Sequence, residues 1–375
     1  MSEPTTTRTS VTVFLCGDVM TGRGLDQILP HPGDPTLHEP VMSDARAYVT
    51  LAEQVSGPIA RPVGFGWPWG DALSVFDEHT PDLRVLNLET CVTGDGTFAK
   101  GKAVHYRMHP GNLACLTVAR PDVCVLANNH VLDFGSRGLA DTLTELTKAG
   151  IRRVGAGLDA AQAHSPASLA LLGGTRVVIA AGGTESSGVP RQWAATRDGP
   201  GVAFVPDLSN RSAEAIAERT LALKRPGDIA IASLHWGSNW GYYVEPGQVR
   251  FAHRLVDAGV DLVHGHSSHH PRSIEVYRGK LILYGCGDLI NDYEGIKGFE
   301  AYRGELRLLY FATLDPDNGK LLALRMVPVR TEKMRLRRVS WDDAEWLRSA
   351  LEHISLRFAT RVHIEANGTL VVRAR

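Results

Sequence analysis

Short apolar runs, rich in Val, Ile and Leu and closed at their C-terminal ends by polar residues, recur along this chain and constrain its fold more than any other feature. SVTVFLCGD, DLRVLNLE, PDVCVLANNH, RVVIAAGG, GDIAIASLHWG, GVDLVHGH and KLILYGCGD each read as a buried β-strand. Helical spacing fills several of the gaps, at Gly138 to Ala149, Ser212 to Lys224 and Gln248 to Ala258. Strands alternating with helices predict an α/β protein built in layers. Residues 30 to 70, with many Pro, Gly and Trp, read as an excursion over the edge of a site. Residues 1–315 are expected to form the catalytic domain, and residues 316–375 a C-terminal region packed on the same domain.

Composition removes several function classes. With 40 Lys and Arg against 41 Asp and Glu, the net charge of −1 gives no electrostatic reason to bind nucleic acid or an anionic membrane. The polar start MSEPTTTRTS leads into an apolar stretch too short for a signal peptide or membrane span, so a cytoplasmic protein is expected. Five cysteines, Cys16, Cys91, Cys115, Cys124 and Cys286, sit mostly inside apolar runs without CxxC spacing, and disulfides are not expected.

Nearly every expected strand ends in a metal-competent residue. Asp18 closes CGD, Glu89 closes NLE, Asn129 and His130 close NNH, His235 opens HWG, and His264, His266 and His269 lie in HGHSSHH. Carboxyl ends of strands converge on the functional crevice of open α/β folds, so these residues can meet although they are far apart in sequence. Carboxylate and amide oxygens mixed with imidazoles suit Zn, Mn or Fe, one or two ions per chain. Several histidines on one buried strand point the same way, because desolvating imidazole is costly unless it is paired or bound to metal. Near His235 and after the RVVIAAGG strand, Trp236, Trp240, Arg191 and Trp193 are candidates for a substrate wall with a cation for a carboxylate or phosphate. Arg23, in GDVMTGR, is a further candidate of that kind.

The ordered series GDVMTGR, NLE, ANNH, HWG, GHSSHHP and ILYGCGD resembles the CapA/PgsA capsule-synthesis family, a branch of the calcineurin-like metallophosphoesterases, over roughly residues 11 to 295. That resemblance implies a layered α/β/β/α fold. It implies that Asp18 binds a first metal with His269, that Glu89 bridges, and that Asn129, His235 and His266 bind a second. His130 matches the position that faces substrate and handles protons. Met20 stands where the common phosphoesterase form has a histidine, which thins the first site, and Ser268 displaces the usual last histidine to His269 rather than His270. His264 is left open, since it could point to the opposite strand face.

Two reaction types suit such a centre: metal-assisted hydrolysis, and removal of an α-proton beside a metal-held carboxylate. The chain is also similar to the metal-dependent peptide epimerases of lasso-peptide biosynthesis, and that reading ranks first here, with a peptide bearing a free C-terminal carboxylate as substrate. His130 would take one proton-transfer role, and Cys91, on the Glu89 strand face, or Asp288 or Glu294 the other. A phosphoester or amide hydrolase, or a poly-gamma-glutamate capsule biosynthesis protein, is the alternative. A scaffold with a purely structural metal ranks third.

Overall fold

The computed structural model describes residues 9–373. β1 (Val11–Val19), β2 (Leu83–Leu88), β3 (Val123–Val125) and β4 (Arg152–Val154) lie side by side and parallel. The chain then builds a second sheet from β5 (Arg176–Thr184), β6 (Ile229–His235), β7 (Leu262–His266), β8 (Ile274–Tyr277) and β9 (Lys280–Leu283). There β5, β6, β7 and β9 are parallel in that order, and β8 returns antiparallel on β9. Finally the chain comes back to the first sheet through β10 (Asp288–Ile290), β11 (Leu306–Leu314) and β12 (Leu321–Thr331). Among the described residues the first sheet counts ten strands and the second seven.

Alternation of side chains assigns the layers. Along β1, Val11, Val13 and Leu15 turn toward the second sheet and meet Ile179, Ile231 and Leu283. Phe14 and Cys16 turn the other way, into a core shared with Leu139, Leu143 and Leu146 of the helix Gly135–Lys148. The far face of the second sheet is covered by the helices Asn210–Leu221 and Pro246–Ala258, which bury Ile216, Phe251 and Leu255. Helix, sheet, sheet and helix thus stack in four layers, the α/β/β/α arrangement expected. The last two helices begin two residues before their apolar periodicity suggests. Ser209 caps one through the backbone N–H of Ser212, and a Glu245–Gln248 capping box with Pro246 in the first turn starts the other.

The segment after Asp315 enters the same sheet. β12 pairs antiparallel with β11 from Leu306 opposite Arg330 to Leu314 opposite Leu321, and the helix Trp341–Ser355 sends Leu347 and Leu351 into the core between the sheets. All five cysteines are buried and unpaired. Among the described residues no helix is long and apolar enough to cross a membrane.

One glycine fixes the placement of the site. β1 loses its regular register with β2 between Leu15 and Asp18, and beyond that point β10 runs parallel to it with Asp288 opposite Asp18. A Cβ on Gly17 would lie 1.7 Å from the Gly287 carbonyl oxygen, so this close approach admits glycine alone.

Candidate metal centre

The C-terminal ends of the parallel strands of both sheets open onto one cleft of about 290 Å³, lined among others by Glu89, Lys102, Asn129, His130, His235 and His269. Parallel pairing sets His235 directly beside His266, and their Nδ1 atoms lie 2.9 Å apart. Across the gap, the first sheet contributes Asp18, whose Oδ1 is 3.9 Å from His266 Nδ1. The donor atoms of Asp18, His235 and His266 all lie within 4.8 Å of one another. Asn129 Oδ1 stands 3.0 Å from His235 Nε2, and Glu89 Oε1 stands 3.9 Å from the same nitrogen and 3.7 Å from His130 Nε2. Asp18, Glu89, His235 and His266 are all essentially inaccessible to solvent.

These residues fit a divalent cation. Burial holds His235 and His266 well below the ordinary histidine value, so both are in the neutral, ligand-competent form. Burial and the neighbouring Asp288 push Asp18 up to about 7, and burial together with Asp18 pushes Glu89 up as well. Oδ2 of Asp18 is buried without a hydrogen-bond partner. Buried carboxylates crowded in this way carry an electrostatic cost that a cation between them removes. Asn87, two residues before Glu89, donates to Asp18 Oδ1 at 2.6 Å and reaches Glu89 Oε2 at 3.3 Å, which fixes both carboxylates.

His130 occupies the edge of the cleft with one nitrogen anchored. Its Nδ1 lies 2.5 Å from Asp133 Oδ2, and Lys102 Nζ contacts Asp133 Oδ1 at 2.5 Å and the Asn129 carbonyl. The carboxylate fixes the tautomer with hydrogen on Nδ1, leaving the Nε2 lone pair turned toward Glu89. Burial, partly offset by Asp133, lowers His130 to about 4, so the free ring is neutral.

Other candidates fall elsewhere. His269 faces the cleft with Nδ1 2.9 Å from Asp288 Oδ1, whereas His270 stacks on Tyr302 and contacts the Pro271 carbonyl. His264 lies on the same strand face as His266, as residues two apart must, but both of its nitrogens are taken, by Ser233 and the Cys16 carbonyl. Cys91 does not share the Glu89 face: β2 ends at Leu88, Cys91 starts a separate two-residue strand, and its thiol donates to the Val131 carbonyl at 3.0 Å. Burial and Asp133 push that thiol up to about 12, which keeps it in the protonated, weakly nucleophilic form. Arg23 is buried, ion-paired to Asp292 and Glu39 and stacked on Tyr48, which leaves it no free donor face for substrate. Trp236, one residue beyond the inward-facing His235, points to the helical side and packs with Phe251 and Tyr284. Glu294 holds Ser56 and the backbone of Lys333 and Met334. Arg191 is exposed beside Glu185 and does not line the cleft. Trp240 does reach the rim, 5.2 Å from the His269 ring and stacked on Phe299, and Trp193 lies under Lys102 Nζ at 4.9 Å.

Strand-end reasoning does not reach Lys102 or Asp133. Lys102 sits in a loop without periodicity. Asp133 has a usable signal, since His130 and Asp133 are spaced three apart in NNHVLD.

The model of the family described as bacterial capsule synthesis protein PGA_cap matches residues 12–293, which span every residue of the cleft. The chain is 56% identical over 363 residues to the probable polyglutamine synthesis accessory proteins of two Mycobacterium tuberculosis strains, covering 96% of each chain. It is 29% identical over 231 residues to the PGA biosynthesis protein CapA of Bacillus subtilis, covering 58% of this chain and 57% of that one. Among solved structures, the 5'-nucleotidase precursor from Thermus thermophilus aligns with a TM-score of 0.46 and 16% identity, covering 95% of this chain and 61% of the other. From Asp18 to Asp292 the cleft lies inside the matched span, and the chain belongs to the bacterial capsule synthesis protein PGA_cap family.

Proposed function

We propose that this protein is a metal-dependent hydrolase that cleaves an acyl or phosphoryl bond, with an amide of a glutamate or glutamine polymer as the preferred class of substrate. The observation that carries the reading is the pairing of a buried Asp18–His235–His266 donor set with a His130 ring whose Nδ1 is held by Asp133 and whose Nε2 faces the same cleft. The preference for a glutamate or glutamine polymer is supported by the names of the relatives, which refer to polyglutamine synthesis and PGA biosynthesis.

A bound divalent ion would supply Lewis acidity and an activated water at neutral pH. His130 Nε2 accepts the proton released as water attacks and returns it to the leaving group, while Asp133 keeps the imidazole in the tautomer this requires. Lys102 fixes the charge of Asp133 and, through the Asn129 carbonyl, the turn that carries both Asn129 and His130. Its ammonium is also the cation nearest an anionic substrate group at this end of the cleft.

Epimerisation of a C-terminal residue is the second reading, and Lys102 beside the cleft would suit a free carboxylate. It needs an acid and a base on opposite faces of the α-carbon. Cys91 faces away, Asp288 is engaged by His269 and Asn291, and Glu294 is held by Ser56 and the Lys333–Met334 backbone, so none of the partners the sequence pattern offers stands free opposite His130. Incubation with glutamate and glutamine oligomers and with aryl phosphate esters in ¹⁸O-labelled and deuterated water separates the readings. Hydrolysis puts one ¹⁸O into a cleaved product. Uptake of α-deuterium without cleavage would establish the epimerase instead, and neither outcome with metal-loaded protein would overturn both.

A further inference from the structure

We infer that Asp288 is a metal ligand, joining Asp18 and His269 in a carboxylate-rich cation site beside the histidine-rich one. The inference rests on the reading of the cleft as a metal centre and adds a donor that sequence pattern alone assigns to proton transfer.

Backbone pairing delivers Asp288 to its place. β10 displaces β11 as the neighbour of the last residues of β1, which sets Asp288 opposite Asp18. One donor atom each from Asp18, His269 and Asp288 lies within 4.8 Å of the other two, and all three residues are buried. Met20, buried two residues after Asp18, offers a thioether and no hard donor, so the hard donors gathered here are those of Asp18, His269 and Asp288.

A simple ion pair would account for the 2.9 Å contact between His269 and Asp288. It does not account for Asp18 Oδ2, a buried carboxylate oxygen to which no amide, hydroxyl or cationic group donates. The surroundings are arranged to orient ligands. Asn291 Nδ2 donates to Asp288 Oδ2 at 2.6 Å, and the buried Arg307 donates to Asn291 Oδ1 at 3.1 Å, which fixes the carboxylate with one oxygen aimed inward. With Nδ1 of His269 turned to the site, its Nε2 carries the hydrogen and needs an acceptor. The side-chain amide of Asn239 is 3.0 Å from that nitrogen, and half a turn of the amide presents its oxygen. Asp18 belongs to both donor sets, so ions held in the two would share it. Two carboxylates and one imidazole form a harder site than Asp18 with two imidazoles, and should favour Mn(II) more strongly.

The test uses the full chain stripped with EDTA and titrated with Mn(II), and in parallel with Zn(II), with bound ions counted by equilibrium dialysis and free Mn(II) by electron paramagnetic resonance. The wild type should bind two ions per chain. Asp288→Asn, which keeps the size of the side chain, should bind one, with affinity at the lost site down by more than about 100-fold, beyond the ~10–100-fold typical of outer partners. Asp288→Glu keeps a carboxylate and should regain the second ion with weaker affinity, which preserves the test if the Asn variant folds poorly by circular dichroism. Two ions bound with unchanged affinity in Asp288→Asn, or fewer than two in the wild type, overturns the inference. If Asp288→Asn loses one ion but no form hydrolyses any substrate, the site stands and the hydrolase reading fails; hydrolysis with both ions retained in Asp288→Asn sinks the site alone.

Discussion

Replacing Asp133 by Asn attacks the proposed proton-transfer machinery without touching either donor set. Asp133 Oδ2 accepts from His130 Nδ1 at 2.5 Å and from the Tyr106 backbone N–H at 2.7 Å, while Oδ1 meets Lys102 Nζ at 2.5 Å. An amide cannot accept on both sides, and it removes the charge that opposes the burial-driven lowering of His130. Protonation of His130 during the reaction therefore becomes harder, and the ring is free to adopt the wrong tautomer. Loss of one general acid–base function costs about 10²–10⁴-fold in rate, equivalent to about 3–5 kcal/mol of barrier. The fold should survive, because the substitution removes one buried, charged hydrogen-bond set worth about 1–3 kcal/mol. In steady-state assays with the substrate found by ¹⁸O labelling, Asp133→Asn and His130→Ala should each reduce kcat within that range while metal content stays at the wild-type level. Because the two residues act as a unit, the double variant should be no slower than the slower single one. Wild-type kcat in Asp133→Asn, or losses that multiply in the double variant, would refute the dyad.

Further expectations concern the candidates that the fold redirects. Cys91→Ala should keep activity of the wild-type order and lower stability by about 1–2 kcal/mol, measured by urea unfolding, since only a small buried group and a weak hydrogen bond are removed; a hundredfold loss of kcat would return Cys91 to catalysis. Trp236→Ala should cost about 3–5 kcal/mol through a core cavity, and an unchanged melting temperature would contradict its placement between Phe251 and Tyr284. Burial lowers His130, His235, His264, His266 and His270, so below about pH 6.5 the unfolded chain takes up protons that the folded metal-free chain refuses. Asp18 and Glu89, raised by burial, and His269, raised despite burial by Asp288, bind protons in the folded state and oppose this, but these three are outnumbered by the five lowered histidines. Metal-free protein should therefore melt at lower temperature at pH 5.5 than at pH 8, and an equal or higher value at pH 5.5 would reverse the assignment.

The layers and the convergence of the candidate donors are legible in the sequence because both depend on local pattern. Runs such as VTVFLCGD encode a buried strand and its polar exit in consecutive residues, and Glu89, Asn129, His130, His235 and His269 line one cleft, with Asp18 and His266 buried next to His235. What sequence pattern misjudges is the direction of a side chain beyond a strand's end. Spacing puts Glu89 and Cys91 on one strand face, but the chain leaves β2 at Leu88. Proximity groups Trp236 with His235, although adjacent strand residues point to opposite faces. The same period of two places His264 with His266, where Ser233 bonds to both rings. Arg23 looks free in the sequence, because its partners Glu39 and Asp292 lie on segments that periodicity cannot bring together. Lys102 depends on a loop closing over the first sheet, and no pattern in the sequence announces that contact.

The Asp18–His235–His266 constellation should bind metal, and the most direct measurement is the metal content of the purified protein beside that of His266→Ala. Without the imidazole that sits 2.9 Å from His235, the set loses one of its two nitrogen donors, and an ion held there should bind far more weakly. Plasma mass spectrometry should find at least one transition-metal ion per chain in the wild type and at least one fewer in His266→Ala, with both proteins folded by circular dichroism. A wild type that remains metal-free after incubation with Zn(II), Mn(II) and Fe(II), or a His266→Ala variant with full wild-type content, would contradict the account.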